Sequence, residues 1–293
     1  MNLFDIGIKT SKEETSFELA KELGLIPPYP DKCVHCQSSM SKIKNRNKER
    51  ISSLMRCNNK QCNKMFSVLA GSIFENSQLK IGQILQLLAC FAFKFKVSET
   101  QVQTNISKNV IINWNNKFRK AYVRKFDSLR DKKIGGKDLM VELDRSNFYK
   151  DKKSDNDKEE EKTFIFAGLC RETKEVCCDT ITISDLDALH EFIINNIEPG
   201  SIIVTTSWSG FDGIETLGYK HKNFDNSKGF IDIENKAIHV NNCKRMWQDL
   251  KKNIPNSVPK ENIKDHIKEY IINRQFNCKD SAARFKLTCD LLK

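Results

Sequence analysis

The sequence predicts a multidomain α+β chain: a small cysteine-knuckled ribbon, a helical unit with helix-turn-helix spacing, and an α/β domain with a central mixed sheet. Three observations predict it. Two cysteine pairs of short internal spacing, Cys33/Cys36 and Cys57/Cys62, stand near the start. Apolar positions recur every three or four residues between Lys80 and Phe126, as on buried helix faces. Beyond Lys137, short β-branched and aromatic runs take over until helical spacing returns, the pattern of strands followed by helices.

The 293 residues, 39% of them apolar, suffice for two or three small cores, which excludes general disorder. The longest apolar stretch, Ile84 to Phe93, is far shorter than the roughly 20 residues of a membrane span. The start, Met-Asn-Leu-Phe-Asp-Ile, has no basic region leading into an apolar core, so membrane and secretory classes are set aside. Residues 1–137 carry 25 basic and 11 acidic side chains, a net of +14, and the remainder nets −3. So one-sided a field suits a polyanion, which for a soluble chain means above all nucleic acid, with solubility as the plainer alternative. Eleven cysteines, an odd number, point to a reducing compartment where thiols bind metal or sit in cores.

In chain order, residues 1–30 end in Ile-Pro-Pro-Tyr-Pro, a stiff extended segment, and read as a lead-in. Residues 31–70 hold Cys33-Val-His-Cys36, a polar span and Cys57-Asn-Asn-Lys-Gln-Cys62. Knuckles of this spacing each supply two thiolates to a tetrahedral ion, so Cys33, Cys36, Cys57 and Cys62 read as the ligands of a zinc ribbon with structural Zn²⁺. His35 reads as a solvated bystander.

Residues 75–130 read as three helices. The first runs from Lys80 to Phe95, the second starts at Val97 with Ser98 as N-cap, and the third runs from Ser107 to Phe126. Ile111, Trp114, Phe118 and Tyr122 share one face of the third, and Lys117, Arg119, Lys120, Arg124 and Lys125 are displayed elsewhere. A basic last helix suits the major groove, so these five are the candidate DNA-binding residues, although any small helical domain packs similarly. Asp131 to Lys137, with two glycines, reads as a linker. Leu139 to Asp144, Thr163 to Gly168 and Val176 to Ile183 read as strands, and the charged run Asp151 to Lys162 as a solvated loop. Asp185 to Ile197 reads as a helix, Ser201 to Thr205 as a buried strand, and Asn242 to Lys252 and Lys260 to Arg274 as helices.

The order of these elements and certain strings resemble Merlin-type DDE transposases and the bacterial insertion-sequence transposases related to them. The strings are the two knuckles, Arg56-Cys57 leading to Phe66-Ser67, and Gly71-Ser-Ile-Phe-Glu75 in the front half. In the back half they are Val141-Glu-Leu-Asp144, Phe166-Ala-Gly168, Pro199-Gly-Ser-Ile202, Thr205 with Trp208, Gly218-Tyr219 with His221, His239 with Asn241, and Trp247 with Leu250-Lys251. The resemblance implies a ribonuclease-H-like domain over 138–278 and DNA cutting and joining run by two Mg²⁺ or Mn²⁺ ions on converging carboxylates. It also implies DNA as partner and a homo-oligomer.

Carried over residue by residue, the first carboxylate falls on Asp144, the second position on Thr206 and the third on Lys244. Two of three metal ligands are thus replaced, one with a reversal of charge. Glu142 shares the strand face of Asp144, and with Asn241 and His239 it is a candidate for supporting the site. Asp212, Glu215 and Asp249 are close in sequence but out of phase with the lost positions. Asp155 to Glu161 is acidic where the family pattern is basic. The expectation is a transposase-derived DNA-binding protein with a degenerate site. The alternatives are an active enzyme with a different ligand set built on Asp144, or a zinc-ribbon module for protein interaction. The other seven cysteines read as core or surface thiols, Trp208 and Trp247 as packing residues, and Lys279 to Lys293 as an amphipathic helix whose role the sequence does not show. A nuclear location is expected in a eukaryotic cell, with Lys42 to Arg50 as a weak import candidate, and otherwise the cytoplasm.

Overall fold

Two units divide the chain, one of them discontinuous: residues up to Tyr122 join Phe276–Lys293, and Val123–Gln275 lies between them in sequence. The structure, a computed structural model, describes residues 2–43, 54–129, 132–146, 163–182, 186–225, 238–254 and 258–293. Residues 44–53 of the polar span within the ribbon, and with them most of the Lys42 to Arg50 run, and the charged run 151–162 lie outside the described residues.

In the first unit the organising element is α3 (Ile81–Ala92), whose only strongly polar side chains are Gln83 and Gln86. Ile84, Leu85, Leu87 and Leu88 are all fully buried; a helix so largely apolar has to be enclosed. It is enclosed by α1 (Leu3–Lys9), α2 (Glu13–Glu22), α4 (Val97–Thr104) and α9 (Ser281–Leu291). The first thirty residues are therefore not a lead-in. Ile6, Phe17 and Leu19 are buried, and Glu13 Oε1 accepts from the first amide of α3, Ile81 N, at 3.2 Å. Gly82 permits the close approach: a Cβ there would stand 2.7 Å from Ser16 Oγ and 2.8 Å from the Thr10 carbonyl. The tail, too, has a role. Arg284 Nε donates to the Ala92 carbonyl at 2.8 Å, one of the acceptors orphaned at the end of α3, and Thr288 meets the Tyr122 hydroxyl at 2.7 Å.

The second helix begins at Val97 with Lys96, not Ser98, at the cap, because Glu99 reaches back to the Lys96 amide at 2.8 Å. A three-residue turn, Asn105–Ser107, opens with Asn105 in the left-handed region at φ 53° and leads into α5 (Lys108–Ser128). The ribbon is a three-stranded antiparallel sheet of β1 (Met40–Lys42), β2 (Leu54–Cys57) and β3 (Met65–Ser67), with Met40 opposite Cys57 and Arg56 opposite Met65.

The second unit has a central mixed sheet. β5 (Met140–Ser146), β6 (Thr163–Cys170) and β7 (Val176–Thr182) form an antiparallel meander. On the other side of β5, β9 (Ile202–Thr206) and then β10 (Lys220–Phe224) are added in parallel. The order is β10-β9-β5-β6-β7. A two-residue parallel pair, β4 (Ile134–Gly135) with β8 (Ile197–Glu198), stands beside it and occupies part of the expected linker.

Each face of the sheet has its own core. Val141, Leu143, Phe166 and Ile203 pack with Leu189, Phe192 and Ile193 of α6 (Leu186–Asn196). Ile165, Ala167, Leu169 and Val204 pack with Met246, Trp247 and Leu250 of α7 (Asn241–Asn253) and with Ile267 and Ile271 of α8 (Ile263–Gln275). Side chains alternate along a strand, so the odd residues of β5 face α6 and the even ones, Glu142 and Asp144, face α7.

Candidate functional site

The parallel register of β5 and β9 pairs Met140 with Ile202 and Glu142 with Val204. Continued by two residues, it sets Asp144 level with Thr206, on the face that Val204 already turns to α7. Helix α7 brings Lys244 and Trp247, three residues apart, to the same place. Trp247 Nε1 donates to Asp144 Oδ2 at 3.1 Å. Asp144 is buried, and burial pushes its carboxyl above the usual value against the pull of the Arg145 amide, Trp247 and the charge of Lys244. Lys244 is half-buried, with its Nζ 6.0 Å from the centre of the Phe224 ring.

Glu142, with no exposed surface, has another task. Its Oε2 accepts from the amides of Asn242 at 2.9 Å and Cys243 at 3.0 Å. These are first-turn donors of α7 that have no partner within the helix. Its Oε1 accepts from Asn242 Nδ2 and from Arg171 Nε, both at 2.7 Å. A negative charge at a helix N-terminus is stabilised by the aligned peptide dipoles, so Glu142 and Arg171 fix where α7 begins and hence where Lys244 and Trp247 point.

His239 completes the cluster. Its Nδ1 accepts from the Asn241 amide at 3.3 Å and faces Arg171 Nη2 at 3.2 Å. Burial and the neighbouring Arg171 lower its pKa. Glu142 Oε1 lies 3.4 Å from Nδ1 and opposes that shift. Asn241 opens the helix through that same amide. Arg171 has no signal in the linear sequence: only the β5/β6 hairpin, which pairs Val141 with Cys170, carries it to Glu142.

Around the second position, Thr205 Oγ1 and His221 Nε2 are 2.8 Å apart, and Glu215 stands 3.3 Å from His221 Nδ1. The Arg145 guanidinium lies 3.9 Å from the Trp208 ring centre, and Trp208 meets Phe211 edge-on at 4.9 Å. Asp212 and Glu215 are exposed, and Asp249, also exposed, is engaged by Asn253 Nδ2 at 3.2 Å.

In the ribbon, the sulfur atoms of Cys33, Cys36, Cys57 and Cys62 all lie within 4.8 Å of one another, with Cys36 to Cys57 at 3.4 Å and Cys33 to Cys62 at 3.8 Å. Four ligands about 2.3 Å from a tetrahedral centre stand roughly 3.8 Å apart, so the cluster can hold a metal ion such as zinc. The Ser38 hydroxyl and amide hold the Cys36 thiol down to about 6, while burial pushes Cys57 up to about 12. His35 stacks on Phe66 at 5.8 Å and stays outside the set. No other cluster of metal donors occurs among the described residues.

The five cations of α5 separate into two groups. Lys117 is exposed but its ammonium is engaged, donating to the Ile73 carbonyl at 3.0 Å and standing 4.6 Å from the Trp114 ring centre. Arg119 is not displayed at all: it is buried, donates to Asn116 Oδ1 at 3.0 Å and lies 5.6 Å from the Phe91 ring centre. Lys120 and Arg124 are exposed and Lys125 half-buried. No helix among the described residues is long and apolar enough to cross a membrane.

Compared with protein families, residues 129–278, about half of the chain, match the ISXO2-like transposase domain. No curated protein matches the chain.

Proposed function

The chain belongs to the ISXO2-like transposase family, and on that premise we propose that it is a transposase-derived DNA-binding protein that has lost strand cleavage. One observation carries the proposal: α7, which meets Asp144 through Trp247 Nε1 at 3.1 Å, holds Lys244 one turn earlier, where the resemblance calls for an acidic metal ligand. The three family positions supply a carboxylate, a hydroxyl and an ammonium. Two hard divalent cations want several anionic oxygens, and an ammonium repels them. Mg²⁺ or Mn²⁺ does not fit this set. Glu142 cannot make up the deficit, because both of its oxygens are taken by α7 and Arg171. Asp212, Glu215 and Asp249 are exposed and form no cluster of metal donors with Asp144 among the described residues. In this reading Lys244 supplies locally the positive charge that metal ions would otherwise bring to a buried Asp144, and the protein fold survives without them.

The strand order of the second unit is consistent with the ribonuclease-H-like fold that the resemblance implies. The four cysteines suit structural zinc, and the exposed Lys120 and Arg124 within the +14 segment suit a phosphate backbone. The test is Mn²⁺-dependent nicking of supercoiled DNA by wild type, Asp144→Ala and the double variant Thr206→Asp with Lys244→Glu. Silence of the wild type with cutting by the double variant is the expected result. Cutting by the wild type that Asp144→Ala abolishes overturns the proposal.

A further inference from the structure

The cations expected to meet DNA run from Lys117 to Lys125 along α5, with the Lys117 ammonium tied to the Ile73 carbonyl and Arg119 buried, while the first turns of the helix present a different chemistry. Asn109, Ile112, Asn113, Asn116 and Lys120 recur three and four apart and are all exposed, Ile112 to 37%. They form one narrow face, opposite the buried Ile111, Phe118 and Tyr122. The amides of Asn109 and Asn113 make no hydrogen bond among the described residues, whereas Asn116 is held by Arg119.

The backbone gives this face a direction. Helix α4, a three-residue turn with a left-handed first residue and a buried Ile106, then α5, is the connectivity of a helix-turn-helix. In that arrangement the first turns of the second helix meet base edges and the later ones meet the backbone. From Lys94 to Lys125 there are eight basic residues and a single acidic one, Glu99, so duplex DNA is the occupant whose charge complements the segment.

Resting on the proposed DNA-binding function, we infer that Asn109 and Asn113 are the base-reading residues of this protein. A free carboxamide offers a donor and an acceptor side by side, the complement of adenine N6 and N7, and an exposed isoleucine between two such groups suits the methyl of a neighbouring thymine. Lys120 and Arg124, about two and three turns beyond Asn113, neutralise phosphates and carry no base preference.

The experiment is selection of binding sites by the full chain from a randomised duplex library, followed by affinity against salt for wild type, Asn109→Ala, Asn113→Ala and Lys120→Ala with Arg124→Ala. All four positions are exposed, and thermal melts verify that the variants stay folded. The expected site contains A·T pairs. Each asparagine variant should lose roughly 5- to 150-fold discrimination at one adenine with the salt slope unchanged. The double variant should keep the selected site and reduce the slope of log affinity against log salt by about 2. A selected site that both asparagine variants retain overturns the assignment while leaving DNA binding standing. Failure of the wild type to retain any duplex at low salt overturns both.

Discussion

Glu142 and Asp144 stand two residues apart on one strand face and do opposite things with their charge. Glu142 is compensated on both oxygens, by a guanidinium and by the free amides of a helix start. Removing one partner of such a buried pair leaves the other uncompensated, so Glu142→Ala should cost about 3–5 kcal/mol, read as a fall in the midpoint of urea unfolding. Asp144 is less well served. Its carboxyl is raised above the ordinary 3.8, so the folded state holds a proton that the unfolded state has already released. Stability from this group is greatest below 3.8 and falls as pH rises through the raised value. Asp144→Asn lacks that slope. Urea unfolding from pH 3 to 7 should show the variant gaining on the wild type as pH rises; a constant gap would contradict the inferred burden of burying this charge. Of this pair, the strand face was legible from the period of two, and the mismatch at Lys244 from the resemblance. Arg171 was not, because it reaches Glu142 only through hairpin pairing.

Among the elements, α3 shows how a sequence can announce burial without naming what does the burying. Its apolar run predicted a helix, and α6, expected over 185–197, forms over Leu186–Asn196. The partners of α3 were hidden by their own signals. A proline-rich stretch after α2 looked like the end of a linker, and α9 alternates polar and apolar residues too weakly to reveal its target. β10 was missed for a related reason: at the edge of the sheet, Lys220–Phe224 buries only its last residue fully, so no alternation marks it. At Gly82 α3 leaves no room for a side chain against Ser16 and the Thr10 carbonyl. Gly82→Val forces Ser16 and the Thr10 backbone apart and should cost about 1–3 kcal/mol, measured as a lower melting temperature. The ribbon depends on chemistry more than packing, since its three strands bury little. Stripping metal with a chelator should remove one zinc per chain by elemental analysis and raise amide exchange in β1–β3, with β5 and β6 unchanged.

For the molecule as a whole, the decisive feature is that the first unit is assembled from both sides of the second in sequence. Arg284 and Thr288 close the end of α3 and the Tyr122 hydroxyl, so a chain truncated after Gln275 should lose protection in α3 and α5 up to Tyr122. The strands β5, β6 and β9 should keep theirs, and hydrogen exchange by mass spectrometry distinguishes the two. The same connectivity sets a timetable on the ribosome. Synthesis at about 5–20 residues per second places a delay on the order of ten seconds between emergence of α5 and of the helix that completes its unit, and in that interval the rest of the second unit, residues 129–275, is made. A nascent chain would therefore carry its whole transposase-family domain before the helix that completes the proposed DNA-binding unit exists, so on that proposal any grip on DNA is delayed until the second unit has been made.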